Sequence, residues 1–267
     1  MIKERGMARN HIFYEVEDKV AVVTISHPPV NFLNEAVILE LNDVFRELGE
    51  DNNVGAVVIT GGGEKAFVAG ADIRMFRNLL GKREKIFSGA KAMQKCFTDI
   101  ENFDKLVIAA INGLALGGGC ELAAACDIRI AAEDAVIGVP EVKLGIIPGA
   151  GGTQRLCRLL GKGKAKMMVL GGGFFSARDA FDFGLVERVV PHGQSVDEAK
   201  KLAKEFLSGG PLAIRNGKRA INEGSNMNLV DGLNLEACLL ADLFMTEDAK
   251  EGVQAFFEKR QPRFQGK

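Results

Sequence analysis

Two glutamates stand in surroundings suited to moving protons. Glu121 follows Gly117-Gly118-Gly119-Cys120, and Glu141 follows Gly138-Val139-Pro140. The triple glycine lets another group approach the backbone closely, and Glu121 then begins a predicted helix, Glu121-Leu-Ala-Ala-Ala-Cys126. A helix N-terminus carries about half a positive charge and leaves N–H groups free to hold a negatively charged oxygen. Removing one such donor from an oxyanion site typically costs about 10²–10³ in rate. Glu141 lies among apolar, Gly and Pro residues, where partial desolvation raises a carboxyl pKa and suits a proton donor near neutral pH. Each has a plainer reading. A first-turn glutamate can simply complement the helix dipole, and Glu141 can be a solvated loop residue or pair with Lys143.

A second constellation is Ala66-Phe-Val-Ala-Gly70-Ala71-Asp72-Ile73. It follows a predicted strand and the Gly61-Gly-Gly63 turn, near a strand's carboxyl end, where α/β folds bind ligands. The small residues Ala69, Gly70 and Ala71 would leave backbone N–H groups uncovered, although a tight turn packed on a helix reads equally well. The later run Gly149-Ala-Gly-Gly-Thr153 either approaches a ligand or leads into a helix. No phosphate-binding GxxxxGK[ST] or dinucleotide fingerprint is present. The three histidines, His11, His27 and His192, have no metal-ligand spacing, so no metal is expected. The cysteines near Glu121 read as small core residues, and Asp127 as a structural turn or cap residue.

The positioning elements alternate. Val20–Ile25, Val54–Thr60, Leu106–Ile111, Asp127–Ala131 and Val186–Val190 read as strands. Between them, Val37, Ile38, Leu41, Val44, Phe45 and Leu48 mark one helix, capped by Asn34, and Ile86, Ala90, Met93, Phe97 and Ile100 another. Ser176 caps a further helix that Gly184 stops. Four helical patterns follow, at 195–208, 211–223, 228–245 and 247–260, with Pro211 in a first turn and Thr246 as a cap. The class is α/β, with an at least partly parallel sheet. The expected organisation is a flexible leader at 1–11, an α/β core with the site at 12–200, and a helical region at 201–267.

Bulk composition narrows the partners. The chain has 267 residues, is 47% hydrophobic and 26% charged, and carries a net charge of −1. That leaves no global basic field for nucleic acid, and the basic runs Lys162–Lys166 and Lys200–Lys204 are short. Five cysteines without a CxxC pair suggest reduced thiols and a cytoplasmic location. No apolar run approaches bilayer length, and the N-terminus lacks the apolar core of a secretory signal.

Taken together, Ala66–Ile73, Ile111-Asn-Gly-Leu-Ala-Leu-Gly-Gly-Gly-Cys-Glu-Leu-Ala123, Pro140–Arg155 and Ser176-Ala…Gly184-Leu-Val resemble the crotonase (enoyl-CoA hydratase/isomerase) superfamily over about residues 12–264. The resemblance implies a spiral of ββα units with a helical C-terminal region that forms trimers, often paired into hexamers. It implies that Ala71 and Gly118 supply two oxyanion-hole N–H groups and that Glu121 and Glu141 are the catalytic carboxylates. Many members keep only one glutamate, so the pair favours reversible hydration of a trans-2-enoyl-CoA. Coenzyme A would be part of the substrate, with no separate cofactor. Residues implied at the substrate are Pro29, Val30, Ala69–Arg74 (thus Gly70, Asp72 and Ile73), Leu114, Gly117, Pro140 and Gly149. Phe256 and Lys259 belong to a tail that approaches the CoA site in relatives. Ser26-His-Pro-Pro-Val-Asn31 departs from the family pattern by lacking Lys-Ala, and Met75–Lys95 gives no chain-length preference. Double-bond isomerisation, dienoyl- or cyclic-enoyl-CoA hydration and acyl-CoA hydrolysis remain alternatives, with an RNA-binding role more remote.

Overall fold

The computed structural model describes residues 9–267. The β-branched runs form a six-stranded sheet in the order β1 (Ile12–Glu17), β2 (Val20–Ile25), β3 (Ala56–Gly61), β5 (Leu106–Ile111), β7 (Ile128–Ala132), β10 (Arg188–Val190). All pairs are parallel except the antiparallel β1/β2 hairpin. Strand β1 is absent from the sequence reading because it is an edge strand with only Ile12 buried, so it carries no apolar run. A second sheet is built from short strands in the order β4 (Ala66–Val68), β6 (Leu114–Leu116), β8 (Val136–Gly138), β9 (Phe174–Ser176). The chain therefore visits both sheets in each turn: β3 then β4, β5 then β6, β7 then β8. Helices follow each visit: α1 (Glu35–Glu50) after the hairpin, α2 (Ile73–Leu79) and α3 (Arg83–Glu101) after β4, α4 (Gly118–Ala125) after β6, and α5 (Gly152–Gly171) after β8. This is the spiral of ββα units.

Local signals account for the ends. Asn34 caps α1 by accepting from Val37 N–H, and Ser176 forms a reciprocal capping box with Asp179 at α6 (Ala177–Phe183), which Gly184 ends in the left-handed region. The main core lies between the sheets and α1, α3 and α4, with Phe67, Phe97, Ile59 and Leu122 fully buried.

Two expected boundaries change. Residues 1–8 of the expected leader lie outside the described residues. Residues 9–11 are tied to α1: Arg9 pairs with Glu47, and the N–H groups of Asn10 and His11 donate to Glu40 at 3.1 and 2.8 Å. Glu40 and Glu47, two turns apart, share the α1 face that receives them. The expected division near residue 200 falls inside α7 (Ser195–Phe206). That helix lays Ala199, Leu202 and Ala203 on the second face of the large sheet, against Val58, Ile108 and Ile130. An uncovered parallel sheet face would be left apolar in water, so α7 belongs to the core.

Beyond it come α8 (Pro211–Gly224), α9 (Leu229–Phe244) and α10 (Glu247–Glu258). The Lys218 ammonium donates to Asp127 Oδ2 at 2.8 Å, which fastens α8 to the core and gives Asp127 its structural role.

Two glycines predict opposite stability effects. A Cβ on Gly119 would lie 1.9 Å from Val68 O, whereas one on Gly89, inside α3, meets nothing within 4 Å. Gly119→Ala should lower unfolding stability by about 3 kcal/mol or more, through forced overpacking. Gly89→Ala should raise it by roughly 0.5–1 kcal/mol, through helix propensity. Urea denaturation of both variants reads the two signs.

Candidate active site

Strands β4, β6 and β8 are parallel neighbours, so their carboxyl ends emerge along one edge. The three segments singled out by sequence follow those ends directly: Ala69–Asp72 after β4, Gly117–Glu121 after β6, and Pro140–Glu141 after β8.

The first segment is pinned by residues 30–33. Ala69 N–H donates to Val30 O at 3.1 Å, Leu33 N–H to Gly70 O at 2.9 Å, and Asp72 N–H to Leu33 O at 3.3 Å. Asn31 supports this turn from beneath, its amide donating to Ala66 O at 2.8 Å and Gly62 O at 3.0 Å. The alternation leaves Ala71 N–H out of the pairing with Leu33. Gly70, at φ +90, turns its carbonyl towards Leu33 where most L side chains would be strained. Asp72 caps α2 through Arg74 N–H and binds the Arg74 guanidinium, so both side chains are occupied with each other. Ile73 is exposed.

The second segment opens α4. Gly117 N–H donates to Gly138 O at 2.8 Å, which fastens this turn to β8. Gly118 is the first residue of the helix, so its N–H has no intrahelical acceptor. Among the described residues, neither Ala71 N–H nor Gly118 N–H donates to a protein acceptor. Gly70 and Gly117 face each other, with a Cβ on Gly117 falling 3.8 Å from Gly70 Cα. The two free donors thus belong to adjoining turns. Leu33 and Met93 form the wall beside Gly118.

Glu121 is 2% exposed. Its Oε1 accepts from Ala150 N–H at 2.8 Å and Gly152 N–H at 2.7 Å. Burial pushes its carboxyl up to about 7; the Gly152 N–H opposes this, the Glu141 charge adds to it, and the Ala150 N–H and Arg155 oppose it. Glu141 occupies a short 3-10 turn, Pro140–Leu144, rather than an open loop. Its Oε1 sits where a Cβ on Gly117 would come within 2.5 Å, and its buried Oε2 has no hydrogen-bond partner. Burial raises this carboxyl as well. Lys143 does not pair with it; the ammonium stands over the Phe174 ring at 4.8 Å. Both carboxyls are raised, and Glu121, at about 7, can exchange a proton with a bound group near neutral pH.

The remaining candidates divide. Val30, Gly117 and Pro140 belong to these turns and Pro29 adjoins Val30, whereas Leu114 starts β6 opposite Ala66, at the amino end of the small sheet. Gly149 is held by Gln94, whose amide donates to its carbonyl at 2.9 Å. Phe256 and Lys259 lie on and just after α10, and among the described residues no hydrogen bond or ion pair joins them to the glutamates or the two free donors. The Ala150 and Gly152 donors escaped the sequence reading. The small-residue run was visible, but nothing in it points back to a carboxylate some thirty positions earlier. Burial pushes the Cys96 and Cys126 thiols up to about 12 and raises Cys120 too, so these cysteines are core residues and not nucleophiles.

The family model described as "Enoyl-CoA hydratase/isomerase" matches residues 15–267. The chain belongs to this family. It is 47% identical to the crotonyl-CoA hydratase of Syntrophomonas wolfei over 97% of this chain and 99% of that one. It is 43% identical to the short-chain-enoyl-CoA hydratase of Clostridium acetobutylicum over 95% and 97% of the two chains. The solved structure of enoyl-CoA hydratase from Bacillus anthracis superposes with a TM-score of 0.92 at 40% identity, covering 97% of this chain and all of that one. Family membership makes an acyl-CoA thioester the substrate class. No helix among the described residues is long and apolar enough to cross a membrane.

The buried glutamate makes stability depend on pH. Glu121 rises from an ordinary 4.5 to about 7 on folding. Between those values the folded state holds a proton that the unfolded chain has released, so stability falls as pH rises through the window. Glu121→Gln keeps an oxygen for the two N–H donors and has no proton to lose. Its stability relative to the parent should grow from about pH 4.5 to 7 and then level off. The gain should be on the order of 3 kcal/mol, at about 1.4 kcal/mol per unit. Thermal unfolding across that range tests the slope.

Proposed function

We propose that the chain catalyses the reversible hydration of a trans-2-enoyl-CoA to a 3-hydroxyacyl-CoA. The observation that carries the proposal is the buried pair, Glu121 and Glu141, beside two backbone N–H groups without acceptors. The names of the most similar relatives favour the same reaction and short acyl groups.

In this reading the thioester oxygen accepts from Ala71 and Gly118 N–H. Glu121 takes a proton from water as its oxygen bonds to C3. The C2–C3 electron pair moves towards the carbonyl, and the developing enolate charge rests on the thioester oxygen between the two donors. Glu141 then delivers a proton to C2, and the carbonyl reforms. Two features support that division. The Oε1 atom of Glu121 already accepts two N–H bonds, which favours its ionised form, whereas the orphan Oε2 of Glu141 is suited to carrying a proton. The Glu141 charge acts on Glu121, and in this reading the two carboxyls share one water and titrate as a coupled unit. No cofactor enters the scheme, since coenzyme A is part of the substrate. The CoA portion is proposed to lie along Pro29–Val30 and Ala69–Arg74, with Lys259 and Phe256 reaching it from a neighbouring subunit.

Self-association into a trimer or hexamer belongs to the same proposal. It is supported by exposed apolar residues on α9 and α10, among them Leu229, Leu233, Phe244, Phe256 and Phe257. A cytoplasmic location and the absence of a nucleic-acid ligand remain readings of the cysteines and the net charge. Sedimentation should give a mass three or six times the 28.7 kDa chain; a monomer at micromolar concentration would contradict the assembly.

Glu121→Gln and Glu141→Gln should each slow hydration of crotonyl-CoA by about 10²–10⁴, the usual contribution of a positioned acid or base. The assay is loss of enoyl-thioester absorbance, with circular dichroism to show that the fold survives. Full activity in either variant would defeat the assignment. Mass analysis separates the alternatives within the family: hydration adds about 18 mass units, one water, while isomerisation adds none.

A further inference from the structure

A cation in the first turn of a helix works against the helix dipole. Yet α5 carries Arg155 there, with only 9% of its surface exposed. Its guanidinium is held from α3: Nε and Nη2 donate to Glu101 Oε2 at 3.1 and 2.8 Å, and Nη2 donates to Thr98 Oγ1 at 3.0 Å. Nη1 turns the other way and donates to Ala150 O at 3.1 Å. It does so across Gly151, where a Cβ would lie 2.1 Å from that nitrogen. Ala150 and Gly152 are the residues whose N–H groups hold Glu121 Oε1. One short strip of backbone is therefore gripped by a guanidinium at a carbonyl and by a carboxylate at two N–H groups.

We propose that Arg155 is the positioning residue for Glu121: by holding the Ala150 carbonyl it fixes the Ala150–Gly152 strip whose N–H groups aim the carboxylate. The charged and titratable groups facing Glu121 are Glu141 from the 3-10 turn, Arg155 from α5, and the adjacent Cys120 thiol, which burial keeps neutral. Arg155 thus opposes Glu141 in its effect on Glu121, favouring the ionised form, and Glu101 balances its charge. Glu101 lies at the outer end of the network, its side chain 36% exposed, and moderates that cation.

The kinetic part of the proposal rests on the hydratase reading; the titration part does not. Arg155→Met, Arg155→Lys and Glu101→Gln are compared by NMR of ¹³C-carboxyl-labelled glutamate, with Glu121 assigned from the resonance missing in Glu121→Gln. Arg155→Met should move the Glu121 midpoint to higher pH, Glu101→Gln should move it lower, and Arg155→Lys should stay near the parent. With crotonyl-CoA, Arg155→Met should lose about tenfold or more in kcat while KM changes by less than about threefold, as expected of a misaimed group rather than a lost binding contact. Arg155→Lys should recover part of that loss. A generally loosened fold would move the midpoint in the same direction for Arg155→Met and Glu101→Gln, and that result would overturn the proposal, as would unchanged midpoints. If Arg155→Met does not fold, the lysine and Glu101 variants still decide it, because each retains a partner for the network. Opposite shifts in a protein that hydrates no enoyl-CoA would sink the hydratase reading and leave the positioning role standing.

Discussion

Val68 O lies 1.9 Å from the point a Cβ on Gly119 would occupy, and a Cβ on Gly117 would come 2.5 Å from Glu141 Oε1. The first turn of α4 can rest on the end of β4 only because these positions carry no side chain. That approach brings Gly118 N–H beside the turn that exposes Ala71 N–H. It also buries Glu121 one helical turn later on a face where the Ala150 and Gly152 donors can reach it. Main-chain packing, rather than any one polar contact, is what the site depends on.

The same packing creates an electrostatic problem that the neighbouring elements only partly resolve. A buried carboxylate is unstable unless it is paired or hydrogen-bonded, and two of them together are worse. Glu121 has the helix dipole, two N–H donors and Arg155 in its favour, against burial and Glu141. Glu141 has an unpartnered oxygen and a backbone bond within its own turn. The imbalance raises both carboxyls above the ordinary carboxylate range. A fully compensated pair would be two inert carboxylates; an uncompensated one would be two neutral acids. Chemistry that removes one proton and supplies another requires the intermediate case, and the lone Oε2 of Glu141 is where the structure leaves it incomplete.

What the sequence made legible follows from the length and strength of each pattern. The buried strands and the amphipathic helices declared themselves because a long run of β-branched residues, or a stripe such as Val37 to Leu48, fits only one backbone period. Caps at Asn34, Ser176 and Thr246 were visible for the same local reason. The second sheet was not, since strands of three residues such as β4, β6 and β8 carry too little periodicity to register. Their identity comes from pairing with one another, a non-local property. The glutamates and glycines were legible as chemistry, and the family resemblance joined them. The Arg155–Glu101–Thr98 network was illegible, because an arginine in a helix next to glycines looks like an ordinary surface residue until α3 is seen to cross it.

The division between the two sheets accounts for how one chain supports both a stable core and a strained site. The large sheet takes the long strands, buries both faces and is closed by α7, so most apolar area is sequestered where no polar group competes. The small sheet takes strands just long enough to aim their carboxyl ends at one edge. Three of its strands deliver the components: a donor after β4, a donor and a carboxylate after β6, and the second carboxylate after β8. Because the strands are parallel and neighbouring, those components converge without any of them being close in sequence. A loop lengthened at one strand end would alter one component and leave the register of the others intact. The spiral therefore lets these turns vary independently, while the spacing of the two free N–H donors and the two glutamates stays fixed by strand pairing.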